Sequence, residues 1–145
     1  MSRSWVKIDM EQNPDRFMIN LPEMDAQHEY LHSLFELLGS PAYTSDRNKL
    51  KQVLSEIELY LLFHFSCEEH LMRLYRFPGF AAHQSDHEQA GTKLIQFLDD
   101  FESEKLNPAA LRIFLSGWLL EHSRISDTEY VAWVKNKRSE IYNKS

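Results

Sequence analysis

The stretch from His64 to His87, HFSCEEHLMRLYRFPGFAAHQSDH, restricts what this chain can fold into more than any other. His64 and Glu68 stand four apart, Pro78-Gly79 makes a turn, and His83 and His87 again stand four apart. Residues four apart stack on one face of an α-helix. Each arm of this hairpin therefore presents two ligand-type side chains in one direction, and the turn lets the two arms face each other. Imidazoles and a carboxylate converging from neighbouring helices are the parts from which a metal site is built inside a helical bundle.

The flanking sequence supplies the rest of such a bundle. A first helix is expected from about Glu23, just after Pro22, to Leu38, with Met24, His28, Leu31, Phe35 and Leu38 on one stripe. Gly39-Ser40-Pro41 ends it. A second begins near Asp46, with Ser45 or Asp46 as N-cap, and carries Leu50, Val53, Leu54, Ile57, Leu61, Phe65, Leu71 and Met72 on its apolar face. His64 and Glu68 fall inside that face, where an unpaired polar group is costly. After the Arg76–Gly79 turn a third helix should run from about Ala81 to Glu102, with His83, His87, Ala90, Leu94, Leu98 and Phe101 inward. Asn107-Pro108 reads as N-cap and first helical residue of a fourth, with Leu111, Phe114, Leu115, Trp118 and His122 inward. Asp127 follows five residues later, and a short last helix is expected from about Thr128 to Tyr142. Residues 1–22 read as an irregular arm whose Trp5 and Phe17 should pack on the bundle. The predicted fold is all-α, one domain over residues 1–145, an antiparallel up-down-up-down four-helix bundle over residues 23–127 with an N-terminal arm and a short C-terminal helix.

Composition narrows the functions open to such a bundle. With 145 residues, 43% hydrophobic and 26% charged, the chain is an ordinary globular sequence able to bury one core. A net charge of −6 argues against a nucleic-acid partner, since phosphates require a basic face. The one basic cluster, Lys135, Lys137 and Arg138, is read as solvated surface. Cys67 is the single cysteine, so no intramolecular disulfide forms. The N-terminal residues lack the apolar core of a signal peptide, and no run approaches the roughly 18 apolar residues of a membrane span. A cytoplasmic protein with no membrane partner is expected, and a monomer, because no exposed heptad seam is present.

Collected on the inner faces are His28, His64, Glu68, His83, His87, His122 and Asp127, which include five of the chain's seven histidines. Five nitrogens and two carboxylates are too many for one tetrahedral zinc. They suit two ions of octahedral type sharing the carboxylates, with iron among the candidates for imidazole-rich, sulfur-free ligation. These motifs, HxxxE at 64–68, HxxxH at 83–87 and HxxxxD at 122–127 preceded by DxQH at 25–28, resemble the hemerythrin family, its bacterial members in particular. The resemblance extends to Glu68-Glu69 before Leu71-Met72, to Phe77-Pro78 ahead of His83, and to Trp118-Leu119 ahead of His122, and covers about Met24 to Tyr130. It implies a non-haem di-iron site with an oxo or hydroxo bridge. His83, His87 and His122 would complete one iron, His28 and His64 would hold the other with an open position, and Glu68 and Asp127 would bridge. In that family O2 binds end-on at the open position and is held as hydroperoxide, with no substrate transformed. The resemblance thus implies reversible O2 binding for carriage, storage or delivery, rather than an enzyme. The alternatives are an oxygen- or redox-sensing module acting on an unidentified protein partner, and a di-iron nitric oxide or peroxide reductase. Zinc or manganese without oxygen chemistry is a further one. The ferritin-like di-iron class fits less well, because no Glu lies three residues before any of the five core-face histidines.

The departures from that family are specific. The spacing of His122 and Asp127 rotates them about 140° apart on a helix, so Asp127 should reach sideways or the helix should widen near Ser123–Ser126. The family usually has an apolar residue straight after the fourth-helix ligand, where this chain has Ser123, and a bulky apolar residue four after the first-helix ligand, where it has His32. His32 is expected to be half-exposed at the bundle end. Asp25 and Gln27 are candidates to orient His28 or to cap its helix. Glu69 and Glu121 read as solvated, His70 as outside the site, and Cys67 as a packed thiol.

Overall fold

The computed structural model describes residues 21–144; Trp5 and Phe17 lie outside the described residues. Six helices follow in order, α1 (Pro22–Leu37), α2 (Pro41–Thr44), α3 (Arg47–Leu74), α4 (Phe80–Glu102), α5 (Pro108–Arg124) and α6 (Ser126–Lys144). No strand occurs among the described residues. The one-turn α2 sits in the connection where a loop was expected, started by Pro41. Two starts follow the predicted caps. Asp46 accepts from the backbone N–H groups of Asn48 and Lys49, and Asn107 from that of Ala110, which satisfies orphan donors at each helix start.

The turn between α3 and α4 is closed by hydrogen bonds from Phe77 N–H to the Met72 carbonyl and from Arg76 N–H to the Arg73 carbonyl. This pattern needs a residue in the left-handed region, and Arg76 adopts it at φ 54° without the help of a glycine. The reversal makes α3 and α4 antiparallel neighbours. Tyr30 donates to Glu56 between α1 and α3, and Arg112 to Glu36 between α5 and α1, which fixes the order around the bundle.

Two apolar clusters fill the interior. The larger holds Leu31, Leu34 and Phe35 of α1, Leu54, Ile57 and Leu61 of α3, Leu94 and Phe101 of α4, and Leu111, Leu115 and Leu119 of α5. The smaller holds Leu21, Met24, Met72, Tyr130, Val131 and Val134. Along α1, α3 and α5 the predicted ligand residues fall where the large cluster stops. The site is therefore a polar layer at one end of the bundle, with hydrocarbon below it and the small cluster above.

The last helix differs most from expectation. It is 19 residues long, not short, and begins at Ser126, so Asp127 belongs to its first turn. No widened turn joins His122 to Asp127. Instead α5 ends at Arg124, Ile125 leaves the regular helical path at φ −105° and ψ −63°, and α6 starts anew. That break supplies the rotation the five-residue spacing demands.

Candidate metal centre

All seven predicted residues meet, and all are buried: His28, His64, Glu68 and Asp127 have no exposure, and His83, His87 and His122 almost none. Each imidazole turns its Nε2 inward. His28 and His64 Nε2 are 3.1 Å apart, His87 and His122 Nε2 3.2 Å apart. Glu68 Oε1 lies 3.2 Å from His64 Nε2 and 3.1 Å from His87 Nε2. Asp127 divides its oxygens, with Oδ2 3.4 Å from His28 Nε2 and Oδ1 3.2 and 3.1 Å from the Nε2 atoms of His83 and His122. Two groups of donor atoms result, Glu68 with His83, His87 and His122, and Glu68 with His28 and His64, each drawn together within 4.8 Å. Glu68 is common to both, and Asp127 faces both.

The outer nitrogens show why the rings point this way. His64 Nδ1 lies 2.8 Å from Gln27 Oε1, and His87 Nδ1 2.8 Å from Glu69 Oε2. An amide or carboxylate oxygen only accepts, so these Nδ1 atoms carry the hydrogen and the inward Nε2 atoms keep their lone pairs. His28 Nδ1 is 3.4 Å from the Ser123 hydroxyl. His122 Nδ1 stands 4.0 Å from Asp86, which accepts from Ser126 at the mouth of a cleft of about 320 Å³. Aromatic rings back the imidazoles of one half. Phe65 stacks on His87 at 4.0 Å, Trp118 on His122 at 4.5 Å, and Tyr130 meets His83 edge-on at 5.3 Å.

Several of the polar atoms at the centre make no well-aligned hydrogen bond within the protein, although Asp127 lies within 3.4 Å of three imidazoles: Glu68 Oε2, His83 Nε2, both Asp127 carboxylate oxygens and the Tyr130 hydroxyl. Leaving a buried polar atom unmade costs about 1–3 kcal/mol, and more for a charged one. A layer of such atoms aimed at common points is what a cation would satisfy. The spacing agrees. The donor atoms lie 3.1 to 3.8 Å from one another, near enough for neighbouring ligands of a common ion to be drawn onto it.

Electrostatics without a cation tells the same story. Burial works against charge on His122 and His83, yet the Asp127 and Glu68 carboxylates outweigh it and push the two imidazoles up to about 10 and about 8. Burial likewise opposes the Glu68 carboxylate, and His64, His122 and His83 hold it well below the usual range. Burial and the same two carboxylates push the Tyr130 phenol upward. Protons and a metal would compete for these nitrogens.

Sequence reasoning missed two supports and one burial. Glu69 is not solvated but braces His87. Gln27 braces His64 rather than His28. His32 is buried at 3% exposure, not half-exposed. In each case the partner or cover comes from another helix, which the period of a single helix does not reveal. His70 is exposed and outside the site, and Cys67 packs beside the small cluster, as expected.

Fold and donor set together define a helical bundle with a buried cluster of imidazoles and carboxylates suited to a metal. Residues 20–134 match the hemerythrin HHE cation binding domain, and the chain belongs to that family. It is similar to a bacteriohemerythrin of Stenotrophomonas maltophilia, 29% identical over 121 residues, covering 83% of this chain and 79% of the relative. A bacteriohemerythrin of Pseudomonas paraeruginosa is 28% identical over 81% of this chain and 77% of its own. One of Clostridium acetobutylicum is 26% identical over 81% of this chain and 95% of its own. No solved structure matches. Among the described residues no helix is long and apolar enough to cross a membrane.

Proposed function

We propose that this protein binds O2 reversibly at a pair of iron ions held by His28, His64, Glu68, His83, His87, His122 and Asp127. The observation that carries this reading is the inward turn of five Nε2 atoms around two shared carboxylates. His83, His87 and His122 would hold one ion. His28 and His64 would hold the other, which is one imidazole short and so offers a position for a small ligand. Glu68 and Asp127, facing both groups, would bridge. When bound, a ferrous pair supplies electrons that O2 can borrow and return. The protein's part is to fix the ligands and exclude bulk water, with the large apolar cluster on one side and Met24, Met72 and Tyr130 on the other. Only two carboxylates offset two cations, a balance that suits holding O2 more than driving it into oxidation. The bacteriohemerythrin relatives support this reading and its non-enzymatic sense.

The test is metal analysis joined to an optical spectrum of the reduced protein before and after air. Two irons per chain and an absorption that appears with O2 and vanishes on its removal are expected. A single zinc, or a spectrum indifferent to O2, would sink the reading. Sustained consumption of peroxide or nitric oxide by the same protein would replace binding with turnover.

A further inference from the structure

The face shared by α3 and α4 departs from the usual rule of apolar side chains in and polar side chains out. Leu59, Leu62 and Phe63, at helical intervals of three and four on the outward side of α3, are 67, 52 and 51% exposed. Ser55 and Ser66, also exposed, continue the strip without a charge. Two contacts fix how α4 lies beside it. Gln84 donates to Glu69 at 3.0 Å, and Phe65 stacks on His87. This antiparallel register puts Gly91 level with Leu62, and Ile95, 58% exposed, level with Glu58. Four of the nine large apolar side chains exposed among the described residues thus share one face. Apolar side chains gathered in this way mark a surface that another molecule covers.

Gly91 points to the same conclusion. It stands in the middle of α4, where glycine weakens a helix relative to alanine. The space where its Cβ would stand is open, with nothing within 4 Å. Nothing within the described chain therefore requires a glycine there, and the missing side chain leaves a hollow beside Leu62.

We propose that this face joins two copies of the chain about a two-fold axis parallel to the helices. Such an axis lays α3 of each copy on α4 of the other, antiparallel as within the bundle, and keeps every residue at its level. Leu62 and Phe63 of one copy then enter the hollow at Gly91 of the second, and the same contact is repeated in the other sense. A second copy fits better than an unlike partner because projection and hollow lie on one face at one level, which makes the face complementary to itself. Its centre carries no charge, so two chains of net charge −6 meet there without opposing like charges. At one rim, exposed Lys51 on α3 comes within reach of exposed Asp99 on α4 of the second copy, and this pair also occurs twice. The area suffices. Two helices side by side, each about 34 Å long and about 10 Å wide, offer about 700 Å² per copy, near the roughly 800 Å² per partner of a stable interface. The apolar stripe is short and makes no heptad seam, which is why the sequence reads as a monomer.

Sedimentation equilibrium of the full-length chain tests the contact. A reversible dimer with a Kd on the order of micromolar is expected. Leu62→Glu places a charge in the contact twice per dimer and should weaken it by about 100-fold or more. Gly91→Leu fills the hollow and should weaken the dimer by about tenfold or more, while the diluted single chain melts no lower than wild type. Adding Leu62→Ala to Gly91→Leu moves the projection to the other helix and should recover most of that loss, which a general loss of packing would not. A chain that stays monomeric at every concentration overturns the proposal, whether residues 1–20 or an unlike protein cover this face. So does a dimer that Leu62→Glu and Gly91→Leu leave at wild-type strength, since its contact would lie on another face.

Discussion

The two halves of the centre share Glu68 and Asp127 but are built in different ways. The half formed by His83, His87 and His122 comes from α4 and α5. It has three imidazoles, an aromatic ring against each, and carboxylates on the outer side, with Glu69 at 2.8 Å from His87 and Asp86 more loosely beside His122. The half formed by His28 and His64 comes from α1 and α3. It has two imidazoles, supported by a neutral amide and a neutral hydroxyl, with buried His32 one turn away. A carboxylate accepting from an imidazole makes the ring a stronger donor than a neutral acceptor does. One half is therefore rich in imidazole, strongly donating and walled by aromatic rings. The other has one imidazole fewer, is more weakly donating and is polar in its surroundings. On the function proposed above, the first half would anchor and the second would exchange ligand.

The largest break of this contrast is His64→Ala. It leaves one imidazole on the weaker half, and metal content should fall from about two ions per chain to about one, with the oxygen spectrum lost. Wild-type iron content and an unchanged spectrum in that variant would contradict the ligand assignment.

The same variant isolates the three-imidazole half and lets its proton competition be measured. His83 is raised to about 8 and His122 to about 10, against about 6.5 in an unfolded chain. In the metal-free protein these charged imidazoles add stability that is complete below about 6.5 and lost as pH rises through 8 and then 10. Metal binding has the opposite sign, because each ligand must give up its proton. Affinity at this half should fall by about tenfold per pH unit on descending from 10, and more steeply below 8. Chelator competition between pH 6 and 9 reads the slope directly, and a flat profile would mean that protons do not hold these positions.

Supports further out should show the contrast in milder form. Glu69→Gln should weaken metal binding about 10- to 100-fold at the three-imidazole half. Gln27→Leu, which removes a neutral acceptor from His64, should cost nearer tenfold at the other half. Equal losses would erase the distinction between a carboxylate and an amide behind the ring.

Much of this was readable in the sequence because the ligand pairs obey the helical period. His64 with Glu68, and His83 with His87, each lie on one face of one helix, so spacing alone placed them. Asp127 was readable as a ligand type but not as a position. Its placement depends on the break at Ile125, and Ser126-x-x-Glu129 was the available sign of a new helix start, although Ser126 in fact donates to Asp86. Glu69 and Gln27 could not be read at all as supports for His87 and His64. Their partners lie 18 and 37 residues away on other helices, and a pattern within one helix carries no information about its neighbour's register.

The smallest expected effect concerns Tyr130. Its ring lies against His83 and its hydroxyl is buried near Glu68 without a well-aligned hydrogen bond, so in the metal-free protein the phenol oxygen is a cost. Tyr130→Phe keeps the ring and removes that cost, and should raise metal-free stability by about 1 kcal/mol. For a chain of this length that is a melting temperature higher by about 3 °C. Because Tyr130 belongs to the three-imidazole half, the gain should be retained in the His64→Ala background, within the roughly 0.5 kcal/mol expected of independent sites. Thermal melts of the two single variants and the double variant measure it. A gain that vanishes beside His64→Ala would show that the two halves are coupled through Glu68 even without metal, and the contrast would then describe a loaded centre only.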